Sequence, residues 1–155
     1  HGHAQAMPTA LSSRSLEDLA NTAIPSSEAG RDVLAFVARP LAPPGRPMPV
    51  LLLLHEFFGL SESIVAKAQL LADELDCLVV APDTFRGTTT SFIPLAIWLA
   101  LTTPQFRVNL DLDDAIAWAG KQPGIDAKRI AVMGFCYGGG KAIRYTTEAR
   151  PTAAT

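Results

Sequence analysis

The chain has 155 residues, 48% of them hydrophobic, which is enough for one domain with a buried core. Its formal net charge of −2 gives no basic surface for nucleic acid or an anionic membrane. No apolar run approaches the ~20 residues that a membrane-spanning helix needs. Two distant cysteines, Cys77 and Cys136, predict neither a disulfide framework nor a metal site. We therefore expect a reducing compartment, the cytoplasm, with an organelle lumen as the alternative.

Residues 1–30 are expected to form an arm ahead of the domain. Met7 is interpreted as the native start, with residues 1–6 as a cloning remnant. Residues 7–30 are rich in serine, alanine and acidic side chains, so we expect irregular structure there. The domain is predicted to cover residues 31–155.

Two strands are predicted at the start of the domain. Asp32 to Arg39 alternates between two faces, which is the pattern of a strand. Residues 40–49 hold five prolines and a glycine and predict a turn-rich connector. The aliphatic run Val50 to Leu54 is typical of a strand covered on both faces in a mostly parallel sheet.

A helix and another strand follow. Ser61 or Ser63 is placed to cap a helix that runs to about Leu75. Its apolar stripe consists of Ile64, Ala68, Leu71 and Leu75. The run Cys77 to Ala81 predicts a second buried strand, in which Cys77 is a packed core thiol. Residues 82–87 then form a loop at the carboxyl end of that strand.

The stretch from Thr88 to Lys128 is predicted to be mainly helical. Thr88 to Gln105 indicates a short, very apolar helix that covers the site or closes the core. The next helix has the apolar stripe Val108, Leu112, Ala115, Ile116 and Ala119. Asp111, Asp113 and Asp114 are expected on its solvated side. Gln122 to Lys128 is expected to be the turn into the next strand.

The most informative stretch starts with the apolar run Ile130 to Met133. It is followed by G-x-C-x-G from Gly134 to Gly138 and then by apolar residues at helical spacing. This order predicts a strand, a sharp turn and a helix, with Cys136 exposed at the strained middle of the turn. The N-terminus of the following helix favours a thiolate. Cys136 is therefore predicted to be a nucleophile.

Two other known motifs and a zinc site match these residues only in part. A P-loop needs serine or threonine after Lys141, where the sequence has Ala142, and the dinucleotide motif lacks its third glycine because Ile143 stands there. His55 begins a zinc-like H-E pair, but Gly59 occupies the position of the second histidine, so we predict no metal site. An inert buried thiol is the remaining alternative for the cysteine.

The alternation of strands and helices predicts an α/β fold with a mostly parallel sheet and helices on both faces. In such sheets ligands bind beyond the carboxyl ends of the strands. Three loops are predicted at that edge, and their reactive side chains are Glu56, Arg86 and Cys136.

Three motifs together resemble the dienelactone hydrolases (carboxymethylenebutenolidases), a cysteine branch of the α/β-hydrolases. They are His55-Glu56-x-x-Gly59-Leu60, Ala81-Pro82-Asp83-x-Phe85-Arg86 and Gly134-Phe135-Cys136-x-Gly138-Gly139. The resemblance extends from about Asp32 onward and implies the N-terminal part of an α/β-hydrolase fold.

The resemblance also implies roles for individual residues. Cys136 would be the nucleophile, and Glu56 would hold the resting thiol and help to deprotonate it. Arg86 would bind a substrate carboxylate. The backbone N–H groups of Phe57 and Tyr137 would form the oxyanion hole. No metal or organic cofactor is implied.

The chain departs from the family after the nucleophile. The family's catalytic aspartate and histidine follow the nucleophile, but Tyr137 to Thr155 contains neither residue type. Arg150 to Thr155 resembles the start of a further strand. We therefore expect an exposed sheet edge that a missing C-terminal segment or a partner chain covers, and a poor hydrolase in the 155-residue chain alone.

The leading functional prediction is thiol-dependent hydrolysis of a small ester or lactone that bears a carboxylate. The first alternative is a non-catalytic binding or structural subunit on a truncated hydrolase fold. The second is a redox or acyl-carrying thiol protein, which the absence of a second, resolving cysteine near Cys136 disfavours.

Overall fold

The computed structural model describes residues 19–28, 30–55, 59–86, 94–95, 98, 102–134, 141, 144–146 and 153–154. Six strands lie in one sheet: β1 (Thr22–Pro25), β2 (Asp32–Ala38), β3 (Met48–Leu54), β4 (Leu78–Pro82), β5 (Ile125–Gly134) and β6 (Ala153–Ala154). Two long helices accompany them: α1 (Glu62–Leu75) and α2 (Gln105–Gly120). Within these described residues, no helix has the length and hydropathy needed to cross a bilayer.

The sheet has the order β1-β2-β4-β3-β5-β6. β3 runs parallel to β4 and to β5, and β5 runs parallel to β6. β2 is antiparallel to both of its neighbours, β1 and β4. The predicted α/β fold with a mostly parallel sheet is confirmed.

The two faces of the sheet are covered by different helices. On one face α1 packs on a core that contains Leu51, Leu53, Ile64, Ala68, Ala72, Cys77 and Val79. On the other face α2 packs on a core that contains Val50, Leu52, Leu54, Val80, Val108, Leu112, Ala115 and Tyr145. This alternation of side chains along β3 explains why the strand is aliphatic throughout, since both of its faces are buried.

The N-terminal arm contains a strand that the sequence did not indicate. β1 pairs with β2 in a hairpin, and the Ile24 side chain is fully buried. The expectation of irregular structure is therefore wrong for Thr22–Pro25. A single buried apolar residue in a four-residue strand was too weak a pattern to recognise.

Helix α1 begins where predicted, and Ser61 rather than Ser63 caps it by accepting a hydrogen bond from the backbone N–H of Ile64. The buried residues of α1 are Ile64, Ala68 and Ala72, four residues apart, so the contact follows the i+4 ridge of the helix. The predicted stripe is wrong at Leu75, which is 56% exposed.

Helix α2 buries its predicted apolar stripe, but the expectation of three solvated aspartates is wrong for Asp111, which has no solvent exposure. Asp111 lies three residues after Val108 and four before Ala115, and this spacing places all three on one face of a helix. Asp113 is exposed and accepts a hydrogen bond from the buried hydroxyl of Tyr145.

Strand β5 starts at Ile125, so the turn expected up to Lys128 ends earlier than predicted. Met48 pairs with Ile125 and Val50 with Ile130, which leaves an irregularity in β5 at residues 126–129. The polar side chains of this bulge hid the beginning of the strand. β6 pairs with β5 at Ile130 and Ala131, so the expectation of an exposed edge is wrong at those two positions.

Candidate active site

Three parallel strands end side by side at the edge where the chemistry was predicted. β3 lies between β4 and β5, and Leu54 of β3 pairs with Gly134 of β5. On the other side, Leu52 pairs with Val80 of β4. The loops that follow these strands therefore leave from one edge of the sheet, as predicted from the topology.

Four of the five predicted site residues, namely Glu56, Phe57, Cys136 and Tyr137, lie outside the described residues. Arg86 is described. Residues 144–146, beyond the predicted turn, are helical. Tyr145 from this helix and Asp113 of α2 are joined by a hydrogen bond of 2.9 Å.

The loop after β4 is held by its own backbone. The N–H of Asp83 donates to the carbonyl of Leu34 in β2 over 2.8 Å. The N–H of Phe85 donates to the Asp83 carboxylate over 3.1 Å, which closes a tight turn. Arg86 ends this turn with φ of 54°, in the left-handed region that costs a non-glycine residue free energy. This backbone strain at Arg86 has to be compensated by contacts of the residue with its surroundings.

His55 joins the loop after β3 to the loop after β4. Its ring is fully buried, and its Nε2 accepts the backbone N–H of Thr84 over 3.1 Å. The hydroxyl of Thr84 lies 2.8 Å from the same nitrogen. Because Nε2 accepts an N–H, the proton of the neutral ring must be on Nδ1. Phe85 packs against the ring edge to face, with centroids 4.6 Å apart.

The carboxylate of Asp83 lies 3.8 Å from Nε2 of His55, within the range of an ion pair. An ion pair would require a proton on Nε2, and the shorter contact with the Thr84 N–H leaves no room for one. We therefore assign this pair as neutral histidine beside a carboxylate that is engaged with Phe85.

The side chain of Arg86 is bound by a buried carboxylate on α2. Its Nε and Nη2 donate to the two oxygens of Asp111 over 3.2 and 2.9 Å. The Arg86 side chain is 10% exposed and that of Asp111 is 0% exposed. This bidentate geometry is the strongest form of an arginine–carboxylate contact.

Burial and the charge of the partner shift the pKa values of Arg86 and Asp111 in opposite directions. Burial raises the pKa of Asp111, although the hydrogen bond and charge of Arg86 oppose that rise. Burial also tends to lower the pKa of Arg86, but the hydrogen bonds and charges of Asp111 and Glu28 outweigh it and raise that pKa. Because its pKa is raised, the Arg86 guanidinium keeps its positive charge and can bind an anion.

A second carboxylate contacts the same guanidinium. Oε1 of Glu28 lies 2.7 Å from Nη2 of Arg86, and the Glu28 side chain is 44% exposed. Exposed ion pairs contribute roughly 0–1 kcal/mol to stability. Breaking a buried pair such as Arg86 with Asp111 costs about 3–5 kcal/mol. Asp111 is thus a fixed ligand of Arg86, and Glu28 is a weakly held one.

Cys77, the described cysteine, has the properties of a core thiol. It is 3% exposed, and burial, followed by the charge of Asp76, raises its pKa to about 11. The sequence-based prediction of a packed thiol is confirmed. Among the described residues there is no cluster of histidine, cysteine and acidic side chains that could hold a metal.

Sequence reasoning missed three residues around Arg86 and its loop: His55 as a buried acceptor, Asp111 as a fixed partner and Glu28 as a second partner. The helical spacing of Asp111 was a usable signal. Nothing in the sequence pairs Glu28 with Arg86 or His55 with Thr84, because both contacts join segments that are distant along the chain.

The chain is similar in sequence to proteins of enteric bacteria. A protein of Salmonella typhi named "Putative carboxymethylenebutenolidase" is 38% identical over 123 residues, which cover 76% of this chain and 44% of that protein. A protein of the same name from Escherichia coli K12 is 37% identical over 123 residues, with the same coverage. The chain thus spans less than half the length of these relatives.

Solved structures share the fold. The crystal structure titled "Putative Dienelactone Hydrolase" from Klebsiella pneumoniae has a TM-score of 0.74 and 33% identity, and the match covers 85% of this chain and 55% of that one. "Bacterial Heroin Esterase" has a TM-score of 0.59 at 23% identity, covering 95% of this chain and 44% of that one, which shows the fold alone.

The fold is therefore that of the α/β-hydrolases. The profile of the Dienelactone hydrolase family matches residues 33–155, which include all three sequence motifs. The chain belongs to the dienelactone hydrolase family.

Proposed function

We propose that this chain carries the nucleophile of a hydrolase that cleaves a small ester or lactone bearing a carboxylate. Family membership supports the reaction class, and the register of the sheet supports the assignment of the nucleophile. Leu54 pairs with Gly134, and Glu56 and Cys136 each follow two residues after these partners. This matched spacing is the single observation that carries the proposal.

Chain geometry limits how far apart the two proposed catalytic residues can be. Paired residues of neighbouring strands lie about 5 Å apart, and two further residues extend a chain by at most about 7 Å. The loop that carries Glu56 also starts from the central strand of the three, between the loops that carry Arg86 and Cys136. This order favours Glu56 as the residue that acts on the thiol.

The proposed reaction has two steps. The Cys136 thiolate, formed with the help of Glu56, attacks the ester carbonyl, and the backbone N–H groups of Phe57 and Tyr137 stabilise the oxyanion. The carbon–oxygen bond breaks, the leaving oxygen takes up a proton, and a thioester remains on Cys136. Water then cleaves the thioester, which releases the acid and regenerates the thiol.

Arg86 is proposed to bind the substrate carboxylate. Its guanidinium is buried, charged and fixed by Asp111 at the same edge of the sheet, so it does not need to be organised when substrate binds. We propose no metal or organic cofactor. We propose a cytoplasmic location, where the thiol that this reaction needs stays reduced.

A non-catalytic binding or structural subunit is the second candidate function. It requires no catalytic histidine or aspartate, and neither residue type stands between Cys136 and Thr155. In the hydrolase, those two groups would come from a segment outside the 155 residues or from a partner chain.

Kinetics on the protein as its gene encodes it would separate the two functions. We expect hydrolysis of p-nitrophenyl esters to fall at least about 10³-fold in Cys136→Ala and about 10²-fold or more in Glu56→Gln. Cys77→Ala is the matched control and should retain activity, because Cys77 is buried in the core. Equal rates for Cys136→Ala and the unaltered protein would reject the hydrolase.

A further inference from the structure

Arg86 binds two carboxylates of very different solvent exposure. Asp111 has no solvent exposure and takes both Nε and Nη2 of the guanidinium. Glu28 is 44% exposed and contacts Nη2 alone, over 2.7 Å. A solvent-exposed single contact exchanges readily, whereas a buried bidentate contact does not.

Glu28 is brought to Arg86 by an anchored turn. The N–H of Ser27 and the hydroxyls of Ser26 and Ser27 donate to the Asp114 carboxylate over 3.1 to 3.3 Å, which ties the turn to α2. The N–H of Glu28 donates to the Ser26 hydroxyl over 3.0 Å. The backbone of Glu28 is thus held while its half-exposed side chain can change partners.

A second arginine lies within reach of Glu28. Nε of Arg31 is 4.0 Å from Oε1 of Glu28, which is beyond hydrogen-bond distance. This Nε is buried and has no hydrogen-bond partner within the part of the chain that the structure describes. A small movement of the Glu28 carboxylate away from Arg86 would give the Arg31 Nε the acceptor it lacks.

We infer that Glu28 occupies the position of the substrate carboxylate on Arg86 and exchanges to Arg31 when a carboxylate-bearing substrate binds. This inference rests on the proposed function. Glu28 is then a specificity-determining residue: it competes with anionic substrates for Arg86 and leaves neutral substrates unaffected. Arg31 lowers the free-energy cost of displacing Glu28 from Arg86, because its Nε then gains the Glu28 carboxylate as an acceptor.

The test compares two p-nitrophenyl esters of similar size, the hemisuccinate and the butyrate. In Glu28→Gln we expect KM for the hemisuccinate to fall about two- to fivefold, the size of an exposed ion pair, with kcat unchanged and butyrate kinetics unchanged. Arg31→Gln should raise KM for the hemisuccinate alone. Glu74→Gln, which removes an exposed carboxylate on α1, is the charge-matched control and should change neither substrate.

The inference would be overturned if Glu28→Gln changed KM equally for both esters, or changed neither KM. The proposed function would still be supported in that case, provided that hydrolysis depended on Cys136. A binding experiment makes the test independent of catalysis. Propionate titrations followed by the NMR signal of the Arg86 Nε–H should show about two- to fivefold tighter binding in Glu28→Gln than in the unaltered protein. Equal affinities in the two proteins would overturn the inference even if no ester were cleaved.

Discussion

The backbone N–H of Thr84 donates to Nε2 of His55, and this contact ties the loop that follows β3 to the loop that follows β4. His55 is the residue before Glu56, and Thr84 lies two residues before Arg86. The contact therefore fixes the starting points of two loops that carry proposed functional residues.

Replacing His55 by leucine removes the ring nitrogen that accepts the Thr84 N–H over 3.1 Å. An unsatisfied buried donor costs about 1–3 kcal/mol, and we expect His55→Leu to lower the free energy of unfolding by that amount. Urea denaturation measures it. Thr84→Val keeps the N–H and removes only the hydroxyl, so it should cost less. A His55→Leu protein as stable as the unaltered one would contradict this role.

The two carboxylates on Arg86 should differ sharply in their effect on stability. Asp111→Ala leaves a buried guanidinium without its fixed partner, and we expect a loss of about 3–5 kcal/mol. Glu28→Ala removes an exposed contact and should cost about 1 kcal/mol or less. Urea unfolding of both variants checks the order, and a larger loss for Glu28→Ala would show that the burial difference does not decide the strength of these pairs.

Cys77 should resist alkylation, and its contribution to protein stability should decrease at alkaline pH. Its pKa in the folded protein is about 11, against an ordinary value of 9.0, so the folded state keeps the thiol proton longer than the unfolded state. Its contribution to stability is therefore fully present below about pH 9 and is lost as pH rises towards about 11. Cys77→Ala should remove this part of the pH dependence.

Peptide mapping after brief treatment with iodoacetamide at pH 8 checks the same assignment. We expect no label on Cys77 in the folded protein and full label after denaturation. Labelling of Cys77 at the same rate in both states would contradict its placement in the core.

Much of the fold could be predicted because its patterns are strong. The continuous run Val50 to Leu54 and the stripe on α2 each fit one kind of element, and the structure has both. β1 was missed because it buries one residue, Ile24. The start of β5 was missed because Asp126 and Arg129 bond to one another within its bulge and interrupt the apolar pattern.

The candidate site was only partly accessible from the sequence. Motif spacing and strand order were enough to predict which three loops share an edge. The contacts of Arg86 depend on segments 25 and 58 positions away along the chain, at Asp111 and Glu28, and no local pattern indicates them. Asp111 is buried despite its charge, because its helical spacing places it on the core face of α2 and Arg86 pairs with it there.

The most direct test of the central claim is trapping of the acyl group on Cys136. The protein is mixed with p-nitrophenyl acetate, quenched in acid and digested, and the peptides are analysed by mass spectrometry. We expect one acetyl group on the peptide that contains Cys136, none on that of Cys77, and none in Cys136→Ala. Release of p-nitrophenol at the same rate by Cys136→Ala, with no acetylated Cys136 in the unaltered protein, would contradict the account.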